Sequence, residues 1–75
     1  MDRIEFYTDA GDKWRWRLRA SNGRILADSG QGYSRRVDAV RACGRVTGCR
    51  IDVDKGAAWA VREVDTLTAD VTVTA

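Results

Sequence analysis

Lys13, Arg15, Arg17 and Arg19 recur at every second position. Alternate side chains of an extended chain share a face, so this spacing sets four cations in one row. Such a row can contact the phosphates of a nucleic acid or another polyanion, and Tyr7 is placed to serve as a stacking platform. Arg3 and Arg24 fall on the same expected face. The candidate polyanion site is therefore Lys13, Arg15, Arg17, Arg19 and Arg24. The competing reading is a solvated sheet face laced with cross-strand ion pairs. Glu5, Asp9 and Asp28 are placed to neutralise part of the row, and the expected register flanks Arg17 with Glu5 and Asp28.

The other chemistry-bearing residues lead less far. The chain has no histidine to act as a general base, and no Gly-rich phosphate loop followed by Lys-Ser/Thr, which argues against an enzyme. The two cysteines, Cys43 and Cys49, have neither a redox nor a zinc spacing. Two reduced, half-buried thiols are the plain reading, with a disulfide or redox pair as the alternative. Asp52 and Asp54, with Glu63 further on, loosely follow a calcium loop. However, Lys55 adds a positive charge, and Gly56 and Ala60 stand where side-chain oxygens are required. A hairpin turn at Asp54-Lys55-Gly56 fits better. No metal and no cofactor is expected.

The elements that must position these residues follow from alternation. Trp14, Trp16, Leu18 and Ala20 occupy the face opposite the basic row, which makes residues 14–20 a strand with one buried side. Residues 3–9 read as the preceding strand. A three-residue loop at Ala10-Gly11-Asp12 sets Phe6 against Trp16, Ile4 against Leu18 and Glu5 against Arg17, whereas a two-residue loop scrambles both faces. Asn22-Gly23 reads as a tight turn with two left-handed positions, leading into a third strand over residues 24–29. This register pairs Ala20 with Ile25, Leu18 with Ala27 and Arg17 with Asp28. Ser34 is the expected N-cap of a helix over residues 35–47, with Gly48 as its stop. Val37, Val40, Cys43 or Gly44, and Val46 form its apolar stripe, with small Ala39 and Ala42 beside it, and Arg35, Asp38, Arg41 and Arg45 its solvated face. Beyond it, Ile51–Val53 and residues 58–64 read as strands. Residues 66–74 alternate Leu67, Ala69, Val71 and Val73 with polar positions, as a one-faced strand in search of a sheet edge.

The 75 residues carry a net charge of +2, with 44% hydrophobic and 32% charged residues. These figures describe one small globular domain over residues 1–75, not a disordered chain. A domain of this size buries only ~60% of its unfolded surface, so association is a natural way to gain stability. No apolar run approaches membrane-spanning length and the N-terminus has no signal-like segment, so a cytoplasmic protein that does not engage membranes is expected.

The run Trp14-Arg15-Trp16-Arg17-Leu18-Arg19-Ala20-Ser21-Asn22-Gly23, followed by Ile25-Leu26-Ala27 and by Gly32-Tyr33-Ser34 at the helix start, resembles the YegP-like small proteins of unknown function. The resemblance covers about residues 4–46. It implies a three-strand, helix, strand unit, two of which share one sheet and exchange C-terminal strands. With one unit per chain, the resemblance implies a homodimer. It transfers no catalytic residues. The expectation is an α+β fold: an antiparallel sheet of three N-terminal strands, one helix on the tryptophan face and one or more C-terminal strands, in a strand-swapped dimer. The strand at residues 65–75 is the candidate for exchange. Leu67, Val71, Val73 and Trp59 are the candidate dimer interface, and a small non-catalytic binding or structural module is the expected role.

Overall fold

A computed structural model describes residues 2–54, 57–62 and 67–74. The chain forms β1 (Asp2–Thr8), β2 (Trp14–Arg19) and β3 (Ile25–Asp28), then α1 (Arg36–Thr47), then β4 (Arg50–Asp54), β5 (Ala57–Arg62) and β6 (Leu67–Thr74). The strands make a single sheet in the order β3-β2-β1-β6-β5-β4. Helix α1 carries the chain from the β3 edge to the β4 edge, and β5 and β6 fold back inward. β6 thus arrives beside β1 running in the same direction. The β1–β6 pair is parallel and all other pairs are antiparallel. The sheet is therefore mixed, which corrects the expectation of a wholly antiparallel one.

The first hairpin has the three-residue loop that the hydrophobic pattern demands. Phe6 pairs with Trp16, Ile4 with Leu18 and Glu5 with Arg17. Asp12 closes the loop with φ 62°, and its N–H donates to the Asp9 carbonyl at 2.9 Å. Asp9 also braces the loop with its side chain: Oδ1 accepts from the Gly11 and Lys13 N–H groups at 2.9 and 3.0 Å.

The second hairpin departs from expectation. Its loop also has three residues, Ser21 to Gly23, closed by Gly23 at φ 90°. The Gly23 N–H donates to the Ala20 carbonyl and the Ala20 N–H to the Arg24 carbonyl. Gly23 alone takes the left-handed conformation, while Asn22 Oδ1 accepts the Arg24 N–H at 3.0 Å. Arg19 pairs with Ile25 rather than Leu26, and the register shifts between Leu18 and Arg19. This bulge takes up Leu26 and restores the expected pairs of Leu18 with Ala27 and Arg17 with Asp28. The slip between loop and bulge exchanges the faces of Ile25 and Arg24.

Helix α1 begins one residue later than expected. Arg35, not Ser34, is its N-cap, without a side-chain cap bond. At the other end Gly48 adopts φ 73° and donates to the Gly44 carbonyl, which is the expected stop. Arg62 of β5 reaches the Thr47 carbonyl with Nη1 at 3.2 Å and places a cation at the negative helix end. The buried helix residues are Ala39, Cys43 and Thr47, with Val40 packed beside them. Val37 and Val46 are exposed, at 43% and 65%. The small side chains of Ala39 and Cys43 let the helix sit close against the large ring of Trp16, and this turns the two outer valines away from the sheet. The expected stripe is right at Val40 and Cys43 and wrong at Val37 and Val46.

The core lies between α1 and the covered sheet face. Ile4, Phe6, Trp16, Leu18, Ala39, Cys43, Cys49, Ala60 and Ala69 are buried. Trp14, Ile51, Val53, Val71 and Val73 pack against them. Val71 and Val73 pair with Ile4 and Phe6, so β6 finds its partners, β1 and β5, within its own chain. Among the described residues no helix is long and apolar enough to cross a membrane.

Candidate functional site

The face opposite α1 carries the basic row. Cross-strand neighbours point to the same side of a sheet, so the register lists its occupants. One row runs Asp52, Trp59, Asp70, Arg3, Arg19; the next runs Thr72, Glu5, Arg17, Asp28; a third joins Thr74, Tyr7 and Arg15. Arg15, Arg17 and Arg19 thus lie together as expected. Lys13 is exposed at the start of the same alternation. Arg24 is exposed but does not join them, because the slip in the second hairpin turns Ile25 onto the face of Arg19, in the place expected for Leu26, and turns Arg24 off it.

The three central arginines are tied to carboxylates. Arg15 Nε donates to Asp9 Oδ2 at 2.5 Å, Arg17 Nε to Glu5 Oε1 at 2.5 Å and Arg19 Nε to the same Glu5 oxygen at 3.2 Å. Arg19 Nη1 also donates to the Gly23 carbonyl at 2.8 Å. The Arg17 guanidinium lies over the Tyr7 ring, 4.7 Å from its centre, so the ring expected to stack on a base already holds a cation. The Arg17 hydrogen bond, with Arg19 in support, holds the Glu5 carboxyl below its ordinary value. The Arg15 hydrogen bond does the same for Asp9, aided by the backbone N–H groups of Lys13 and Gly11. The guanidinium groups of Arg15 and Arg17 are raised by the same contacts. Arg3, directly opposite Arg19, makes no ion pair among the described residues. It borders a shallow cavity of about 190 Å³ with Arg19, Ala20, Ser21 and Gly23.

The expected interface residues are not gathered at one place. Val71 and Val73 belong to the covered face, whereas Trp59 is 41% exposed on the open one. Leu67 of β6 pairs with Arg62 of β5, and its side chain lies outside the described residues. Sequence reasoning missed that Asp52, Trp59 and Asp70 enter the Arg3–Arg19 row. Their alternation is legible, but no local signal tells which distant strand comes to lie beside β1.

The thiols of Cys43 and Cys49 are buried and unbonded to each other. Burial pushes the Cys43 thiol up to about 12, far from the range of a reactive thiolate. Asp52 and Asp54 lie within β4, paired with Trp59 and Ala57 of β5, and Lys55 and Gly56 of the expected turn lie outside the described residues. Glu63, the third member of the calcium-like pattern, lies outside the described residues. No cluster of three metal-ligating side chains occurs among the described residues.

Comparison with known proteins agrees with the fold. A model of a domain of unknown function, DUF1508, matches residues 9–49. A UPF0339 protein of Methanosarcina acetivorans is 58% identical over 33 residues, which are 44% of this chain and 55% of the relative. The match thus spans about half the length of that curated relative. The solution structure of a protein from Haloferax volcanii superposes with a TM-score of 0.60 at 40% identity, covering 73% of this chain and 95% of the other. The match begins within the first hairpin and runs through the tryptophan–arginine strand to the end of the helix, and by it the chain belongs to the DUF1508, or YegP-like, family of unknown function.

Proposed function

We infer that this protein is a non-catalytic interaction module that acts as a homodimer, and that its arginine row is a paired, solvated sheet face rather than a polyanion site. The observation that carries this reading is the closure of Arg15, Arg17 and Arg19 onto Asp9 and Glu5. A phosphate must compete with those carboxylates for the guanidinium charge, and Glu5, Asp9, Asp28 and Asp70 offset the arginines of this face. Burial of both thiols and the lack of histidine support a role without catalysis. Trp59, exposed on a face that no helix covers, supports self-association, since a second copy laid across a two-fold axis would remove it from water. Exchange of the strand at residues 65–75 is the other route to a dimer, and would remake the β1–β6 pairs between chains.

Two measurements test this. Fluorescence anisotropy with generic single-stranded RNA and duplex DNA at low salt is expected to show no binding. Binding that weakens steeply with salt and is abolished by Arg15→Glu with Arg19→Glu would replace this reading with the nucleic-acid one. Light scattering is expected to give the mass of a dimer, with Trp59→Ser shifting it toward the monomer. A monomer at all concentrations defeats the homodimer.

A further inference from the structure

Positive charge that no carboxylate takes up also lies on the other side of the molecule. Arg41 and Arg45 stand one turn apart on α1, both exposed, and neither enters an ion pair among the described residues. Like charges at this spacing repel, so an anion between them is favoured. They border a cleft of about 410 Å³ between α1 and the loop leading into it, lined by Gln31, Tyr33, Asp38, Arg41, Ala42 and Arg45. Small-molecule sites occupy ~300–1,000 Å³.

The wall facing the helix is held in place. Tyr33 exchanges both backbone hydrogen bonds with Trp14, at 2.7 and 2.8 Å, and is half-buried. Gly32 presses against Lys13 so closely that an added Cβ would lie 2.5 Å from the Lys13 Cβ. Among the described residues Asp38 is the one carboxylate of the cleft, and both its oxygens are engaged by Arg35: Nε to Oδ2 at 3.2 Å and Nη2 to Oδ1 at 3.4 Å. Its charge is thus drawn toward the start of the helix. Ala42 fills little of the space between the walls.

We propose that this cleft binds a phosphate group, gripped by Arg41 and Arg45, with Tyr33 and Gln31 contacting whatever the phosphate is attached to. Guanidinium forks match phosphate oxygens in shape and charge. The site is separate from the sheet face and goes beyond the interaction reading.

The test is a series of ¹H–¹⁵N spectra of the full chain at low ionic strength, titrated with inorganic phosphate, 5′-AMP and adenosine. Phosphate and 5′-AMP are expected to move the signals of Gln31, Tyr33, Arg41 and Arg45 saturably, and adenosine to leave them in place. Tighter binding of 5′-AMP than of phosphate assigns the site to phosphate esters; equal binding assigns it to the free anion. Arg41→Gln with Arg45→Gln, which keeps good helix formers on an exposed surface, is expected to weaken binding by about tenfold or more. Arg3→Gln is expected to leave it unchanged. No saturable shift, shifts confined to Arg3 and Arg19, or an affinity untouched by the double variant would overturn the proposal.

Discussion

The two faces of the sheet come from the same strands by alternation, yet different forces hold them. On the covered face Ile4, Phe6, Trp16 and Leu18 are removed from water by a helix whose contact residues are small. On the open face Glu5, Arg15, Arg17 and Arg19 remain in partial contact with water and are ordered by charge and by the Tyr7 ring. Burial of large apolar groups contributes far more free energy than partly exposed ion pairs do. The covered face therefore fixes the fold, and the open face tolerates change at a lower cost in stability. Trp16 is the extreme case: its indole N–H is buried with no hydrogen-bond partner among the described residues, so the ring contributes through its bulk.

The largest expected effect falls on the covered face. Trp16→Ala is expected to cost about 3–5 kcal/mol in chemical denaturation, close to the whole stability of a small domain. Trp16→Phe should cost much less, because the lost N–H was unpaired. If the two variants are equally damaging, the indole has a bond that the fold does not account for. Next comes Gly32, where the two faces meet the loop. Gly32→Ala forces a Cβ onto Lys13 and is expected to cost about 1–3 kcal/mol. A neutral result would show that the loop can back away from β2.

The open face should yield less. Glu5→Gln is expected to cost about 1 kcal/mol, since it removes the negative charge shared by Arg17 and Arg19 while keeping an acceptor oxygen. The pH dependence follows from the lowered carboxyl of Glu5. Its contribution is fully present above its ordinary value of 4.5 and is lost as pH falls through the lowered folded value. Glu5→Gln should accordingly flatten the acid side of the stability profile. An unchanged acid limb would show that the pair contributes nothing in solution. The smallest effect concerns the outer helix positions. Val37→Ala and Val46→Ala are each expected to change stability by less than about 0.5 kcal/mol, because both side chains are exposed. A loss of 1 kcal/mol or more at Val46 would restore the apolar stripe read from the sequence.

The two hairpins show how much of this was legible. In the first, a three-residue loop puts Phe6 against Trp16 and a two-residue loop puts it against Arg15, so the pattern favours three residues, and the structure has three. In the second, Asn22-Gly23 fits a two-residue turn equally well. The chain instead uses three residues and a bulge at Leu26, and because the two irregularities cancel, Arg17 still meets Asp28. Between them Arg24 leaves the basic row. The helix stop at Gly48 was readable from one residue, whereas its buried side was readable only in part: Val40 and Cys43 belong to it, while Val37 and Val46 are exposed and the small Ala39 packs inward instead.

Alternation over residues 14–20 by itself determined that this strand has a tryptophan face and an arginine face, and the Ile4, Glu5 and Phe6 positions fixed its first neighbour. Those are nearest-neighbour relations, set by the period of a strand and the length of a loop. What lies beside β1 on its other edge is a long-range choice. The final strand could read as an edge for any sheet, and only the crossover of α1 from one side of the sheet to the other brings β6 back beside β1, parallel to it, with Trp59 and Asp70 entering the arginine row. The cleft between Tyr33 and Arg41 arises in the same way. Its two walls come from a loop pinned to Trp14 and a helix held by Trp16, and no spacing in the sequence records the distance between them.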